Sequence, residues 1–421
     1  MQTILGIIVG LLTLMALIVA QEFGHFLAAR RNGVRVKEFA IGFPPRAIAW
    51  MHVPPKKSGA KGKNGRWTWR RLKKSEWGKD QETLVFSLNW LPIGGFCAMD
   101  GESDDDPRSG TFGAASFWGK TKILFAGVAM NWLVAFIILT VLAWTGLPTL
   151  IENQFTIKSN ETVHIVEPIT VGEVLENSPA ATAGFQSGDQ LLSAENPACT
   201  NNSLTPCTVT FYASSDVIAF NQDHSGETVR YRISRSGQSQ VLTATLNEAD
   251  AEYLLGLTMS LGNTERSYTW SAPLVGAGLT VQLTGETFKG LGNLVVSLAS
   301  GAVRQVSPSE STRAEGREQV SEATAGVSGI VGIVGGLFPS ILSAGATYVA
   351  LLAAVISISL ACMNVLPIPA LDGGRWFMIF LARLQHKKLS KDREAEIVGR
   401  AFIFLLILMA IITVVDIIRL F

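Results

Sequence analysis

The stretch Thr3 to Ala20, TILGIIVGLLTLMALIVA, runs without a break into Gln21-Glu22-Phe23-Gly24-His25. As a helix the apolar run reaches roughly 27 Å at 1.5 Å per residue, close to the hydrocarbon thickness of a bilayer. No small-residue cleavage site follows it, so it is expected to stay in the chain and not to be removed as a signal peptide. On that helix positions 21 and 25 lie one turn apart on one face. Two imidazoles there could grip one zinc ion while Glu22, beside them, polarises a bound water, the arrangement of a His-Glu-x-x-His helix. Gln21 stands where the first histidine belongs.

Composition supports a membrane setting independently of the motif. Hydrophobic residues make up 48% of the chain, charged residues 16%, and the mean hydropathy is +0.30, whereas a soluble enzyme of this length is richer in charge. Four spanning helices are expected: Thr3 to Ala20, about Ile123 to Leu147, about Tyr348 to Leu366 and about Ala401 to Ile418. The loop between the first two carries Arg30, Arg31 and a cationic tract from Lys56 to Lys79, which the positive-inside rule puts in the cytoplasm. The segment after the second span is acidic, with Glu152, Glu161, Glu173 and Asp189 among its charges, and is expected outside. Arg383 to Arg400 is basic again. Both termini then lie outside, and His25 and the end of the third span share the cytoplasmic side.

The tract Lys56 to Lys79, interleaved with glycine and with Trp67, Trp69 and Trp77, reads as a flexible insertion attracted to anionic headgroups, not as a nucleic-acid patch. On either side of it, Glu38 to His52 and Glu82 to Met99 alternate enough to form hairpin strands. A sheet edge near a membrane cannot face lipid unpaired, so it should line a wet cavity or pair with an extended segment. The edge is expected within Glu82 to Met99, near Asn89, Gly94 and Gly95, which are the substrate-binding candidates. Of the four cysteines, Cys199 and Cys207 should pair if their polar stretch faces an oxidising compartment, while Cys97 and Cys362 stay free. Trp270 to Val303 suggests a helix at the outer membrane surface. Gln305 to Ala325 suggests an exposed, mobile insertion. Ser328 to Gly336 is too glycine-rich to span, and should pack closely or re-enter the membrane.

The second chemical constellation closes the third span: Asn364-Val365-Leu366-Pro367-Ile368-Pro369-Ala370-Leu371-Asp372-Gly373-Gly374. Two prolines break the helix, and Asp372 is presented at membrane depth, where a carboxylate is costly unless a cation or a metal pairs with it.

Taken together, the Glu22-His25 helix, the Gly42 turn, Pro92-Ile93-Gly94-Gly95, Ala126 to Asn131 and the Asn364 to Asp372 element resemble the site-2 protease family of intramembrane zinc metalloproteases. The part order resembles its bacterial regulator-of-sigma-E branch. Ser178 to Leu192, with a Gly188-Asp189 turn leading into an apolar strand, resembles a PDZ pattern, in which a guest peptide adds to an exposed strand. The resemblance implies zinc as cofactor, His25 and Asp372 as ligands with Gln21 at the position of the missing one, Glu22 as general base and Asn364 as a donor to substrate or oxyanion. Val128 departs from it as well, standing where the family usually has proline. Three readings of Gln21 stand: a natural pseudoprotease, a histidine replaced to trap an inactive form, or weak zinc binding through the glutamine. His52, at a strand end before Pro54 and Pro55, is a nearby histidine that could be imagined as a replacement ligand.

The expected fold class is therefore a polytopic α-helical membrane protein with four spans, a membrane-associated β-hairpin region and an inserted extracytoplasmic PDZ-like α+β domain. The expected parts are residues 1–147 (N-terminal membrane core), 148–265 (PDZ-like domain), 266–345 (interfacial segment and glycine-rich stretch) and 346–421 (C-terminal membrane core). The expected function is regulated intramembrane proteolysis of single-pass membrane proteins, such as anti-sigma factors or signal-peptide remnants, in a bacterial inner membrane. Its partners are those substrates, a peptide at the PDZ-like groove and membrane lipids, with no nucleic acid. The alternative is a non-catalytic pseudoprotease that binds membrane proteins. A transporter is disfavoured because the spans show no repeated halves.

Overall fold

In a computed structural model, residues 2–53, 68–77, 83–101, 103–104, 106–151, 153–157, 161–199, 206–212, 214–251, 253–260, 263–305, 309–325, 329–386 and 389–420 are described. The opening apolar run and its motif form one helix, α1 (Gln2–Arg31), followed by strands β1 (Val36–Val53), β2 (Thr68–Arg71) and β3 (Val85–Met99) and by α2 (Phe117–Thr145). The middle of the chain forms β4 (Leu147–Pro148), β5 (Glu161–Glu167), β6 (Ile169–Val174), α3 (Pro179–Ala183), β7 (Gln190–Glu195), β8 (Thr208–Thr210) and α4 (Ser214–Asp223). It continues with β9 (Thr228–Arg235), β10 (Gln238–Thr245), β11 (Leu257–Met259) and β12 (Asn263–Tyr268). The remainder is helical: α5 (Ala272–Gln305), α6 (Glu310–Ala325), α7 (Ile330–Gly332), a π-helical turn Ile333–Leu337, α8 (Phe338–Ala344), α9 (Ala346–Val365), α10 (Asp372–Leu384) and α11 (Lys391–Leu420). Among the described residues, α1, α2, α9 and Lys391–Val414 of α11 are long and apolar enough to cross a membrane. The chain is a membrane protein with a β region.

Two compact units share the chain. The first comprises Met1–Val141 and Gly276–Phe421, the second Leu142–Val275.

In the first unit, Phe26 and Ala29 of α1, Val36 and Phe39 of β1, Ile123 and Leu124 of α2 and Ile379 of α10 bury one another in a single apolar cluster. The β1 and β3 strands each fold back on themselves. Residues 38–41 have register partners both at 95–98 and at 85–88, and residues 48–51 lie beside 85–88 on the other side, with β2 beyond them. The buried carboxylate of Glu38 fastens this fold-back, accepting from Ser87 Oγ (2.6 Å) and from both ends of the Arg46 guanidinium fork. Within the expected Glu82 to Met99 region, residues 85–88 have sheet partners on both sides, whereas residues 95–99 form one outermost limb of the described sheet, β2 being the other.

Two segments expected to be loose are ordered. Thr68–Arg71 is a strand on Trp50–Val53, with Trp69 stacked on His52 at 4.6 Å; the rest of the cationic tract, 54–67 and 78–82, lies outside the described residues. Glu310–Ala325 is a helix lying on α5, because Gly301 and Gly316 let the two backbones approach and Gln319 donates to Ser300 Oγ (2.9 Å); residues 306–308 lie outside the described residues. The glycine-rich stretch from Gly329 to Gly336 is helical, with Ser328 outside the description, and its continuation sets Phe338 and Pro339 against Gly10 and Gly6 of α1. Buried Asp416 of α11 accepts from the backbone N–H groups of Gly329 (2.9 Å) and Gly332 (2.8 Å), satisfying donors at a helix start where the membrane would supply none.

In the second unit the six-stranded sheet runs β10-β9-β7-β6-β11 with β8 on β7, and β4-β12-β5 form a smaller sheet. Its core includes Ile169, Phe185, Leu191, Phe211, Phe220, Tyr231 and Ile233. Cys199 and Cys207 are joined in a disulfide, with Cα atoms 5.4 Å apart. Cys97 and Cys362 are buried and carry no disulfide. The turn before β7 is locked by Asp189. Its carboxylate accepts from Gln186 N–H (2.9 Å) and from Arg235 Nε (2.7 Å) and Nη2 (2.6 Å).

Burial alone would raise the Asp189 carboxyl, yet the Arg235 guanidinium and the Gln186 amide hold it below the ordinary carboxylate range. A carboxyl whose folded value lies below its unfolded value of about 3.9 stabilises above that pH, and the contribution is lost as pH falls through the folded value. Hydrogen-exchange protection factors across 186–191 and 233–235 of the full chain should thus fall on acidification below about pH 4. Asp189→Asn should show the lowered protection already at pH 7, with no further acid loss; wild-type protection in that variant would count against the role.

Candidate metal centre

Helix α1 carries Gln21, Glu22 and His25 within about one turn, 21 and 25 on one face, and α2 crosses it closely. At Gly24 an added Cβ would meet the Ala126 carbonyl, and at Gly127 it would meet the His25 ring, so the crossing depends on two missing side chains. His25, only 6% exposed, donates through Nδ1–H to the Ile123 carbonyl of α2 (2.9 Å). That bond fixes the tautomer and leaves the Nε2 lone pair outward, the arrangement found behind metal-bound histidines.

Nε2 faces Asp372 Oδ2 at 3.2 Å. The carboxylate arrives from the other end of the chain because Pro367 and Pro369 stop α9 and α10 restarts at Asp372. Gly373 and Gly374 tuck under the Val365 and Ile368 carbonyls, where a side chain would collide. Two lone-pair donors facing each other at this distance need a shared cation, a proton or a metal ion. Their separation is close to that of two corners of a tetrahedral zinc site, for which donor distances near 2.1 Å imply about 3.4 Å.

Gln21 completes the arrangement differently from a histidine. Its Oε1 accepts from Asn131 Nδ2 of α2 (3.0 Å) and Asn364 Nδ2 of α9 (3.1 Å). Ser357 of α9 in turn donates to the Asn131 carbonyl (2.8 Å). Among the described residues no three His, Cys, Asp or Glu side chains are grouped to hold a metal. The donor set fits zinc with two strong ligands, His25 and Asp372, and one weak one, the Gln21 amide oxygen, which already takes two hydrogen bonds. His52 is occupied elsewhere, stacked on Trp69.

Gly94 and Gly95 stand beside Ile18 and Val19 of α1, within a turn of Gln21. Asn89 is buried. Its Nδ2 donates to the Gly42 carbonyl (2.9 Å), bracing the fold-back of β1, while its Oδ1 has no partner among the described residues. In the sequence Gly127 and Asn131 stand out only as part of the Ala126 to Asn131 element at the start of the second span; the signal that singles out Asn131 is an amide in an otherwise apolar run, fully buried here.

In the second unit, edge strand β11 and helix α4 flank a groove of about 220 Å³ lined by Leu175, Ile218, Leu255, Leu257 and Met259.

The sequence matches Peptidase family M50 over residues 9–53 and 72–409. A Clostridium acetobutylicum protein bearing a zinc metalloprotease name is 25% identical, over 98% of this chain and 97% of its own length. The regulator of sigma-W protease RasP of Bacillus subtilis is 26% identical, over 82% of this chain and 69% of its own. The zinc metalloprotease RasP of Bacillus licheniformis is 25% identical, over 83% and 71%.

If the close approach at Gly127 seats the imidazole, Gly127→Ala should turn the ring off both Ile123 and Asp372. In a Gln21→His background, zinc affinity measured by chelator competition should drop by about 10- to 100-fold, the usual worth of an orienting contact. Unchanged affinity would show that the ring is held by other means.

Proposed function

The chain belongs to peptidase family M50, the site-2 proteases, which are zinc metalloendopeptidases, and from that premise we propose that it is an intramembrane protease of regulated intramembrane proteolysis, impaired as it stands by Gln21. The observation that carries this reading is the meeting of His25 and Asp372 beside Glu22, brought from opposite ends of the chain by membrane-spanning helices. Its substrates are single-pass membrane proteins already cut outside, such as anti-sigma factors or signal-peptide remnants, a class suggested by the likeness to the regulator of sigma-W protease. The setting is a bacterial inner membrane with the second unit extracytoplasmic, a reading supported by the acidic charge of that segment and by its disulfide.

His25 and Asp372 would hold the zinc, with Gln21 the weak third donor, and the bound ion supplies Lewis-acid polarisation of a scissile carbonyl. Glu22 takes a proton from the attacking water and returns it to the leaving amine. Asn364 donates to the developing oxyanion; in this chain its amide is engaged by Gln21 Oε1. The second unit acts as a PDZ-like filter, supported by the groove between α4 and edge strand β11, to which a peptide strand can add.

Zinc should bind this chain at least about 100-fold more weakly than its Gln21→His form, a whole ligand being worth more than an orienting contact. Cleavage of a model single-pass substrate should be near background, appear with Gln21→His and vanish again on adding Glu22→Gln. One tightly held zinc per chain as purified would sink the proposal. A Gln21→His form that binds zinc and captures substrate without cutting it would favour the alternative, a non-catalytic binder.

An unwound substrate segment is proposed to pair along residues 95–99, one outer limb of the described sheet, with Gly94 and Gly95 giving it room beside α1. In a Cys97→Ala, Gln21→His, Glu22→Gln background, Ala98→Cys should form a disulfide with a substrate bearing one cysteine near its scissile bond. Failure to crosslink, with substrate still bound, would remove this limb from the binding site.

A further inference from the structure

On the first unit, beside the crossing of α1 and α2, lies a groove of about 420 Å³. Its walls are apolar, formed by Leu27 and Ala28 of α1 and by Ala126, Ala129, Met130 and Leu133 of α2, while its end is lined by Arg31 and Lys122. Both cations are exposed, and among the described residues no carboxylate pairs with either. Their neighbours are committed otherwise: Arg30 lies over the Phe26 ring at 5.6 Å, and Asn32 Nδ2 donates to the Ala28 carbonyl (2.8 Å).

We infer that this groove is a binding site for one anionic phospholipid, its phosphate held by Arg31 and Lys122 and an acyl chain laid along the apolar wall between the two helices. The groove belongs to two helices that cross a membrane, so its apolar wall is filled by hydrocarbon and not by water. Two cations at the head of such a groove, α1 ending in Arg30 and Arg31, sit where helix ends meet headgroups, and basic sites between spanning helices select anionic lipid. A zwitterionic lipid offers the same chain but a neutral headgroup, so charge is what distinguishes the occupant. The site has a structural consequence. Gly24, part of the groove wall, is the residue that lets α1 meet the Ala126 carbonyl, and Gly127 on the next position packs the His25 ring. A lipid seated there braces the helix crossing that positions the candidate metal centre, though its binding does not depend on proteolysis.

Native mass spectrometry of the full chain released from detergent, titrated separately with palmitoyl-oleoyl phosphatidylglycerol and the matching phosphatidylcholine, reads the affinity for the first lipid bound. Phosphatidylglycerol should bind about 25-fold more tightly, the worth of two interfacial cations. Arg31→Ala with Lys122→Ala should erase that preference, whereas Arg400→Ala, removing an exposed cation of α11, should leave it intact. Ala129→Trp, which fills the groove without changing charge, should weaken the first binding of both lipids, and free glycerol phosphate should not displace phosphatidylglycerol. Equal affinity for the two lipids, a preference that survives the double alanine variant, insensitivity to Ala129→Trp, or displacement by glycerol phosphate alone would each overturn the site.

Discussion

The His25 imidazole is clamped on three sides, and the membrane core is arranged around that clamp. Its Nδ1–H is held by the Ile123 carbonyl, its Nε2 faces Asp372, and its ring lies against Gly127. A buried imidazole in a spanning helix has few ways to satisfy both nitrogens, because lipid offers no partners. The solution uses the Ile123 backbone carbonyl of α2 on one side and a carboxylate from beyond α9 on the other. Each partner is costly alone at that depth, and together they share the burden. The close crossing of α1 and α2 follows from the same need, since only glycine at 24 and 127 allows the ring and the carbonyls to come so near.

Gln21 shows how a polar side chain in a spanning helix is absorbed. A glutamine amide inside a spanning helix must find hydrogen bonds, and here its oxygen accepts from two asparagines on two other helices. This makes a three-helix polar knot of α1, α2 and α9, reinforced where Ser357 binds the Asn131 carbonyl. The knot satisfies the glutamine oxygen within the helix bundle, and it engages the amides of both asparagines.

The β region contributes by a different kind of constraint. Phe26 of α1 packs against Phe39 of β1 and Phe86 of β3, with ring centroids 5.5 to 5.8 Å apart, so the fold-back of both strands is fastened to the motif helix by aromatic contact. Glu38 is buried at the centre of that fold-back and is tolerable there only because Arg46 and Ser87 satisfy it. The start of the 95–99 limb, at Gly94 and Gly95, thereby lies within a turn of Gln21 on α1.

By itself the sequence determined the four apolar spans, the helical phase that puts residues 21 and 25 on one face, the proline break before Asp372 and the pairing of Cys199 with Cys207, because each rests on local period, length or spacing. It did not determine which strand limb is outermost, since Glu38 and Arg46 fold β1 back and place Val85 to Leu88 inside the sheet. Nor did it reveal the order in Glu310–Ala325, whose polar composition reads as loose until Gly301 and Gly316 bring it onto α5. The partners of Gln21 were equally out of reach: Asn131 and Asn364 lie 110 and 343 residues away along the chain. Side-chain satisfaction across helices is a property of how they cross, and that crossing is decided by close backbone contacts that no local pattern encodes.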